Sequence, residues 1–177
     1  MNFYARRFNL YLLLLAAALL PAAGCQTHKT DDHVASLRIH MENRAQLPGS
    51  GQTVSVLRGD PVLVTINNQP ILTEANVTAA QLIETPGGYA VEVRFDDTGT
   101  WILEQYTAAN PGKHLVIFGQ WSDNIKDSRW LAAPIITRRI ANGVLSFTPD
   151  ASRQEAQQLV IGLNNMAKRI AKGKMKP

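Results

Sequence analysis

The chain has 177 residues, of which 45% are hydrophobic and 18% charged, and its formal net charge is +4. This length and composition predict one domain with tails and exclude wholesale disorder. Much of the basic excess lies in residues 168–177 and the body is close to neutral, which excludes a dedicated nucleic-acid-binding protein with a basic face spread over its fold.

The first 24 residues predict an export signal. Arg6 and Arg7 form a short positive region, residues 10–20 are apolar, and small residues lead up to Cys25. The apolar run is shorter than the roughly 20 residues that cross a bilayer, so we interpret it as a signal peptide and not as a membrane span. An exported protein with a single cysteine cannot form an internal disulfide, so Cys25 needs another explanation.

Cys25 and the three small residues before it resemble the bacterial lipobox. The resemblance implies that the Cys25 sulfur carries diacylglycerol and that Cys25 becomes the first residue of the mature protein. The body is then anchored by lipid in the cell envelope and faces the periplasm. Gln26 stands where an aspartate often marks inner-membrane retention, which favours the outer membrane. The alternative is an ordinary signal cleaved near Ala23, with Cys25 incidental.

A polar tether, residues 25–33, precedes a segment of predicted strands, residues 34–70. Leu37, Ile39 and Met41 alternate with polar residues, the period expected of a half-buried strand. Two further short strands are predicted at 53–57 and 62–66, on either side of a turn.

Residues 71–167 predict a domain of strands and two helices. Strands are expected at 77–84 and 89–95, joined by a hairpin turn. A strand at 113–119, apolar on both faces, is expected at the centre of a sheet, and one at 130–137 contains Pro134 and is expected at an edge or a bulge. A short strand at 144–147 follows the turn residues Asn142 and Gly143.

The first helix is expected to begin after Asp96 or Asp97 and to end near Ala109, with Ile102, Leu103 and Tyr106 on its buried face.

The second helix is expected to start at Asp150 or Ser152, where Ser152 and Glu155 match a capping box. Its predicted core stripe is Ala156, Leu159, Val160, Leu163, Met166, Ala167 and Ile170. The fold class predicted from this order is α+β, an antiparallel sheet with two helices packed on one face, preceded by additional N-terminal strands.

A set of residues recurs in order along this domain: Gly99, Thr107, Asn110 to Lys113, Leu115, Ile117, Ala132 to Pro134, Ile140, Asn142, Gly143, Phe147, Glu155, Ala156 and Leu159. With these residues, the stretch from about Ile71 to Asn165 resembles the head subdomain of the first periplasmic domain of SecD, in the SecDF protein-export family. The resemblance implies the same fold and a binding or scaffold module that contacts exported or envelope polypeptides, without motor activity.

We expect no catalytic, cofactor or metal site. The histidines His28, His33, His40 and His114 show no metal-ligand spacing, and the sequence contains neither a nucleophile elbow nor a phosphate-binding loop. The predicted loop and helix-start carboxylates favour the helix dipole and need no catalytic explanation. The sequence therefore indicates a protein that is not an enzyme and binds no cofactor.

The tryptophans are the candidate partner contacts. Trp101 is expected in the core. Trp121 lies in the polar loop 120–127, either as a surface aromatic that contacts a partner or as a buried plug. Trp130 is expected to pack on the predicted edge strand, which could recruit an extended peptide by strand addition.

Two functions follow as hypotheses. The first is a lipid-anchored binding or scaffold module that meets an envelope protein or an exported chain. The alternative is a structural envelope lipoprotein whose basic tail, residues 168–177, contacts cell-wall or outer-membrane polyanions; the same tail could equally be a solvated helix end.

Overall fold

The computed structural model describes residues 33–44, 51–122 and 125–173. The predicted signal peptide, Cys25, nearly all of the tether and the last four residues of the basic tail lie outside these residues. Asp123, at the centre of the loop that carries Trp121, lies outside them as well.

Within the described ranges the chain forms nine strands and two α-helices, which confirms the α+β class. They are β1 (Ser36–Met41), β2 (Gly51–Val56), β3 (Val62–Asn67), β4 (Leu72–Thr73), β5 (Val77–Thr85), β6 (Gly88–Phe95), α1 (Asp97–Ala109), β7 (Leu115–Gln120), β8 (Ser128–Ala132), β9 (Val144–Phe147) and α2 (Arg153–Ala171). Short 3-10 helices cover Glu74–Asn76 and Ile125–Asp127.

The strands pair antiparallel in three sheets: β4-β1-β7-β8, β2-β3 and β5-β6-β9. β1 lies inside the four-stranded sheet, where Ile39 is opposite Leu72 of β4 on one side and Ile117 of β7 on the other. The first strand of the described chain therefore shares a sheet with strands that come much later in the sequence.

One core is shared by the four-stranded sheet, the three-stranded sheet and both helices. Its fully buried side chains include Leu37, Ile39, Leu103, Leu115, Ile117, Leu131, Leu159 and Leu163. Because neighbouring side chains of a strand point to opposite faces, Val116 of β7 lies on the other face of the four-stranded sheet. There it packs against four residues of the β2–β3 hairpin: Val54, Val56, Val64 and Ile66. β7 is thus covered on both faces, and its predicted central position is confirmed.

Both predicted helix starts are confirmed. Asp96 caps α1 by accepting a hydrogen bond from the Gly99 N–H at 2.6 Å. Ser152 caps α2, and its capping box with Glu155 is complete in both directions. These caps satisfy backbone N–H groups that a helix start otherwise leaves unpaired.

The predicted buried face of α1 needs one correction. Leu103 and Thr107 are buried, but Tyr106 is 40% exposed. The reason is that residues 139–140 pack on the helix: the Ile140 N–H donates to the Thr107 hydroxyl at 2.9 Å. This contact, made by a distant loop, turns the Thr107 side of the helix inwards and leaves the Tyr106 side in solvent.

β8 is shorter than predicted. It ends at Ala132, before Pro134, and not at Thr137. Pro134 has no N–H to donate, and its carbonyl accepts a hydrogen bond from the Leu115 N–H at 3.0 Å. The predicted edge position of this strand is confirmed, because β8 ends the four-stranded sheet.

Candidate functional site

The structure separates the two interpretations of Trp121. Its side chain is 2% exposed and belongs to the main core. The guanidinium of Arg129 lies 4.8 Å from its ring centre and covers it on the outer side. Trp121 is therefore a buried plug. The other interpretation, a surface aromatic that contacts a partner through this ring, is wrong.

Trp130 is half-buried and joins the hairpin to the four-stranded sheet. Its ring makes edge contacts with Phe118 and His40, at 5.3 and 5.4 Å between ring centres. His40 in turn donates from Nδ1 to the Asn67 carbonyl at 2.8 Å. The ring also lines a groove of about 330 Å³ beside Leu57. A partner contact at Trp130 stays a prediction, and its packing role is now evident.

Trp101, expected in the core, is 62% exposed on α1. That expectation was wrong because the side of α1 facing the core begins at Gly99 and continues through Leu103 and Thr107. Trp101 lies outside that stripe.

The predicted site for strand addition was the edge of β8, and this edge is partly covered. The Asp150 N–H donates to the Leu131 carbonyl at 2.7 Å. Arg58, at the end of the β2–β3 hairpin, holds the Asp150 carboxylate through its backbone N–H and its guanidinium, at 2.8 and 3.1 Å. These hydrogen bonds lower the pKa of Asp150, although burial opposes them. An incoming strand would have to break the hydrogen bond between the Asp150 N–H and the Leu131 carbonyl before it could pair there.

The β5 edge of the three-stranded sheet is also occupied. Asn164 of α2 accepts from the Ala80 N–H and donates to the Ala80 carbonyl, both at 2.9 Å. The side-chain amide thus makes the two hydrogen bonds that a neighbouring strand would make at this point. Pairing with a further strand is therefore blocked here.

The opposite edge, β9, has no strand on its outer side among the described residues. The Gly143 carbonyl accepts from the Phe95 N–H of β6 at 2.9 Å, so alternation along the strand directs the backbone groups of Val144 and Ser146 away from β6. The Val144 N–H is bonded to the Asn142 side chain at 3.2 Å. Within the described ranges no hydrogen bond occupies the Val144 carbonyl or either backbone group of Ser146, so these groups can pair with an incoming chain.

A groove of about 640 Å³ runs beside this edge, and we call it the β9 groove. It is lined by Glu92, Leu115, residues 134–142 and residues 144–146. Its size is within the range of ligand-binding clefts. The edge of β9 therefore borders a space that can hold the side chains of an added strand.

The outer wall of the β9 groove is fixed by contacts to other elements. The Ile136 N–H donates to the Lys113 carbonyl at 2.8 Å, and Arg139 forms an ion pair with Glu104 of α1. Ile140 is held by Thr107, as described above. The groove is therefore formed before any ligand binds, which lowers the entropic cost of binding.

The groove combines an apolar and a charged surface. Ile135 is exposed beside it, and the guanidinium of Arg138 is exposed with no ion-pair partner among the described residues. Glu92 is held by a hydrogen bond from Gln81 at 2.8 Å. Gln81 is a neutral amide and does not neutralise Glu92, so the groove lining contains a carboxylate as well as the guanidinium of Arg138. Together with the exposed Ile135, these groups suit a peptide with polar groups near an apolar one.

Other polar clusters have structural partners. Glu42, at the end of β1, accepts hydrogen bonds from Arg44 and from Nδ1 of His114, each at 2.7 Å. Burial alone raises the pKa of Glu42, but these hydrogen bonds outweigh it and lower the pKa from 4.5 to about 2. Across the described ranges no three His, Cys, Asp or Glu side chains converge as metal ligands.

Residues 50–167 match the family model of the SecDF P1 head subdomain. Over 118 residues the chain is 32% identical to the protein translocase subunit SecD of Calditerrivibrio nitroreducens, a match that covers 64% of this chain and 20% of that protein. The chain thus spans about a fifth of the length of this relative.

Two solved structures resemble the fold of this chain. One is of SecDF, described as a membrane component that enhances protein export, with a TM-score of 0.52 and 20% identity over 75% of this chain and 63% of that one. The other is of SecDF in its super-membrane-facing form, with a TM-score of 0.53 and 21% identity over 74% of this chain and 19% of that one. At these identities the two similarities show a shared fold and nothing more.

In the part of the chain that the structure describes, no helix has the length and hydropathy needed to span a bilayer.

Proposed function

This chain belongs to the SecDF P1 head subdomain family, and from that premise we propose that it is a lipid-anchored periplasmic binding module that holds extended segments of exported or envelope polypeptides. The proposed role is binding or scaffolding, without catalysis or motor activity. Its relation to protein export is supported by the family and by the SecD relative.

The observation that carries the proposal is the unpaired edge of β9 beside a preformed groove. An extended peptide adds to such an edge through backbone hydrogen bonds, which any sequence can make, while pockets beside the strand select alternate side chains. A protein that handles unfolded chains of varied sequence needs this kind of recognition. The β8 and β5 edges are less suitable, since Asp150 and Asn164 occupy them.

The anchoring part of the proposal rests on the lipobox resemblance at Cys25. Mass spectrometry of the protein purified from its own membrane should find Cys25 as the first residue, with its sulfur in a thioether to diacylglycerol. A bare sulfur, or a leader still attached, would contradict the lipid anchor without affecting the binding proposal.

The binding part can be tested by site-specific photocrosslinking. A photoreactive amino acid at Ser146 should label a reduced and alkylated polypeptide, which stays unfolded, and should not label the same polypeptide in its folded form. The matched control is the same amino acid at Gln105, an exposed position on α1. Equal labelling from both positions would refute binding at the β9 edge.

A proline substitution tests the backbone mechanism itself. Ser146→Pro removes an N–H that points away from β6, so the pairing of β9 with β6 is kept. One lost backbone hydrogen bond, at about 0.5–1.5 kcal/mol, should weaken polypeptide binding about 2- to 12-fold. Ser146→Ala keeps the N–H and should bind as the unsubstituted protein does. If the alanine and proline variants bind equally, strand addition is the wrong mechanism.

A further inference from the structure

The N-terminal end of the described body is fixed on α2. His33 donates from Nε2 to the Gln158 carbonyl at 3.0 Å, and the Asn165 amide donates to the His33 carbonyl at 2.9 Å. At Gly162 the chain lies so close that an added Cβ would come within 2.6 Å of the Ala35 Cβ. Gly162 and Asn165 are buried for this reason, although the predicted core stripe of α2 did not include them.

This attachment limits how far α2 can be from a lipid on Cys25. Eight residue-to-residue steps lead from Cys25 to His33, and a fully extended chain spans at most about 3.6 Å per step, or roughly 29 Å. α2 itself is about as long, at roughly 1.5 Å per residue over its 19 residues. Every turn of α2 can therefore reach a membrane that holds Cys25.

The exposed face of α2 has the charge for such a contact. After Glu155, which is paired with Arg129 at 2.7 Å, the sequence contains no further acidic residue up to its end. Lys168 and Lys172 are exposed, and the described part of the chain gives neither of them an ion-pair partner. They follow Ile161, which is 40% exposed, at helical steps of seven and eleven residues, so the three share one face.

We propose that this face of α2, which we call the α2 basic face (Ile161, Lys168 and Lys172), lies against anionic phospholipid headgroups of the membrane that holds the anchor. The inference rests on the lipid anchor proposed above. A lipid anchor combined with basic residues is the arrangement that gives stable membrane binding in many peripheral proteins. The α2 basic face adds to the anchor a defined orientation of the body.

The orientation has a consequence for the β9 groove. α2 occupies the β5 edge of the three-stranded sheet through Asn164, and β9 is the opposite edge of that sheet. With α2 on the membrane, the β9 edge is the side of the sheet farther from the bilayer, where a polypeptide can approach it.

The test uses the full lipidated chain reconstituted in vesicles of phosphatidylethanolamine and phosphatidylglycerol that contain a nickel-chelating lipid. A spin label is placed at Ile161→Cys, and relaxation by nickel reports its closeness to the headgroups. Since lipid blocks the sulfur of Cys25, the new cysteine alone takes the label. The control site is Leu63→Cys, which is 72% exposed on β3, in the hairpin across the four-stranded sheet from the main core.

We expect strong nickel relaxation at position 161 and little at position 63. Lys168→Glu with Lys172→Glu should weaken the equilibrium binding of the α2 basic face to the headgroups by at least about fivefold per lysine, and should therefore lower the relaxation at 161. Replacing phosphatidylglycerol with phosphatidylcholine should lower it as well. Arg38→Glu with Arg94→Glu, a matched double reversal at exposed strand positions, should leave it unchanged.

Three outcomes would overturn the inference. Equal relaxation at positions 161 and 63 in a protein that floats with the vesicles refutes the orientation and leaves the anchor intact. A protein that does not float refutes the anchor and the orientation together, while polypeptide binding at Ser146 is still measured separately. The double reversal of Lys168 and Lys172 could leave the relaxation at 161 unchanged but abolish retention of the protein on purified cell-wall sacculi. In that case the two lysines bind the cell wall and not the membrane.

Discussion

Replacing Asn164 with alanine should destabilise the protein because one side chain satisfies two backbone groups of another element. Its amide accepts from the Ala80 N–H and donates to the Ala80 carbonyl, each at 2.9 Å. Alanine is a good helix former, so the substitution leaves the propensity of α2 intact or slightly better. The loss is therefore confined to the contact between α2 and β5.

The magnitude follows from two partly buried hydrogen bonds. Each contributes about 0.5–1.5 kcal/mol, and a donor or acceptor left without a partner costs about 1–3 kcal/mol if water cannot replace the lost bond. Since the site is only partly buried, water can reach some of it. We expect Asn164→Ala to lower the free energy of unfolding by about 2–4 kcal/mol, which corresponds to a decrease in Tm of very roughly 5–15 °C for a domain of this size.

Urea unfolding followed by circular dichroism measures this change. The control is Gln157→Ala, an exposed position on the same helix, which should stay within about 0.5 kcal/mol of the unsubstituted protein. Asn164→Asp should fall between the two, because a carboxylate can accept from the Ala80 N–H but cannot donate to its carbonyl. If Asn164→Ala is no more destabilising than Gln157→Ala, the amide does not hold the β5 edge.

Three further predictions concern single positions. The folded-state pKa of Glu42 is about 2, below its ordinary value of 4.5, so the contribution of Glu42 to the free energy of unfolding is complete above pH 4.5 and is lost as the pH falls towards 2. Glu42→Gln should remove this pH dependence, on the order of 2 kcal/mol, from the free energy of unfolding measured across that pH range. Trp121→Ala should cost about 3–5 kcal/mol in urea unfolding, whereas the exposed Trp101→Ala should cost less than about 0.5 kcal/mol; equal losses would contradict the burial described here. Gly143→Ala should destabilise the protein more than Gly112→Ala in thermal melts. Both glycines have positive φ, 66° and 77°, but only at position 143 would the added Cβ clash with a neighbour, the Thr100 side chain.

The features that the sequence predicts correctly are those decided by residues close together in the chain. Asp96 caps α1, and Ser152 with Glu155 caps α2, because a cap needs only a side chain and the N–H groups two or three residues later. The apolar run of β7 predicts a central position in a sheet for a similar reason, since each face of a strand is decided by its own alternate residues.

The features that the sequence predicts wrongly depend on what packs against an element. Tyr106 was expected on the buried face of α1 with Ile102 and Leu103, and Trp101 was expected in the core. The buried stripe of the helix instead runs through Gly99, Leu103 and Thr107, where Ile140 bonds to Thr107. For Trp121 the sequence left two interpretations open, because nothing in its polar loop indicates that Arg129 covers the ring. Predicting which side chains are buried at these positions requires knowing where segments distant in sequence pack.

The candidate site belongs to this second kind. β9 was predicted as a strand from its own residues, but whether its outer side is paired depends on the order of strands in the sheet. The sequence placed the open edge at β8, since Pro134 is typical of edge strands. It could not indicate that Asp150, held by Arg58 of the hairpin, occupies that edge.

The two edges of the three-stranded sheet differ in the described part of the chain, since Asn164 of α2 occupies the β5 edge and no strand pairs with the β9 edge. Proteins normally protect exposed strand edges, because an unpaired edge recruits other chains. Here Asn164 of α2 occupies the β5 edge and Asp150 occupies the β8 edge at Leu131, while no described residue pairs with the outer side of β9 beside its groove. A membrane at the α2 basic face would leave the β9 edge on the side away from the bilayer, where the proposed polypeptide ligand can approach it. If the proposed function and orientation hold, closing the β9 edge should remove polypeptide binding, whereas opening the β5 edge should add a second, competing edge on the membrane side.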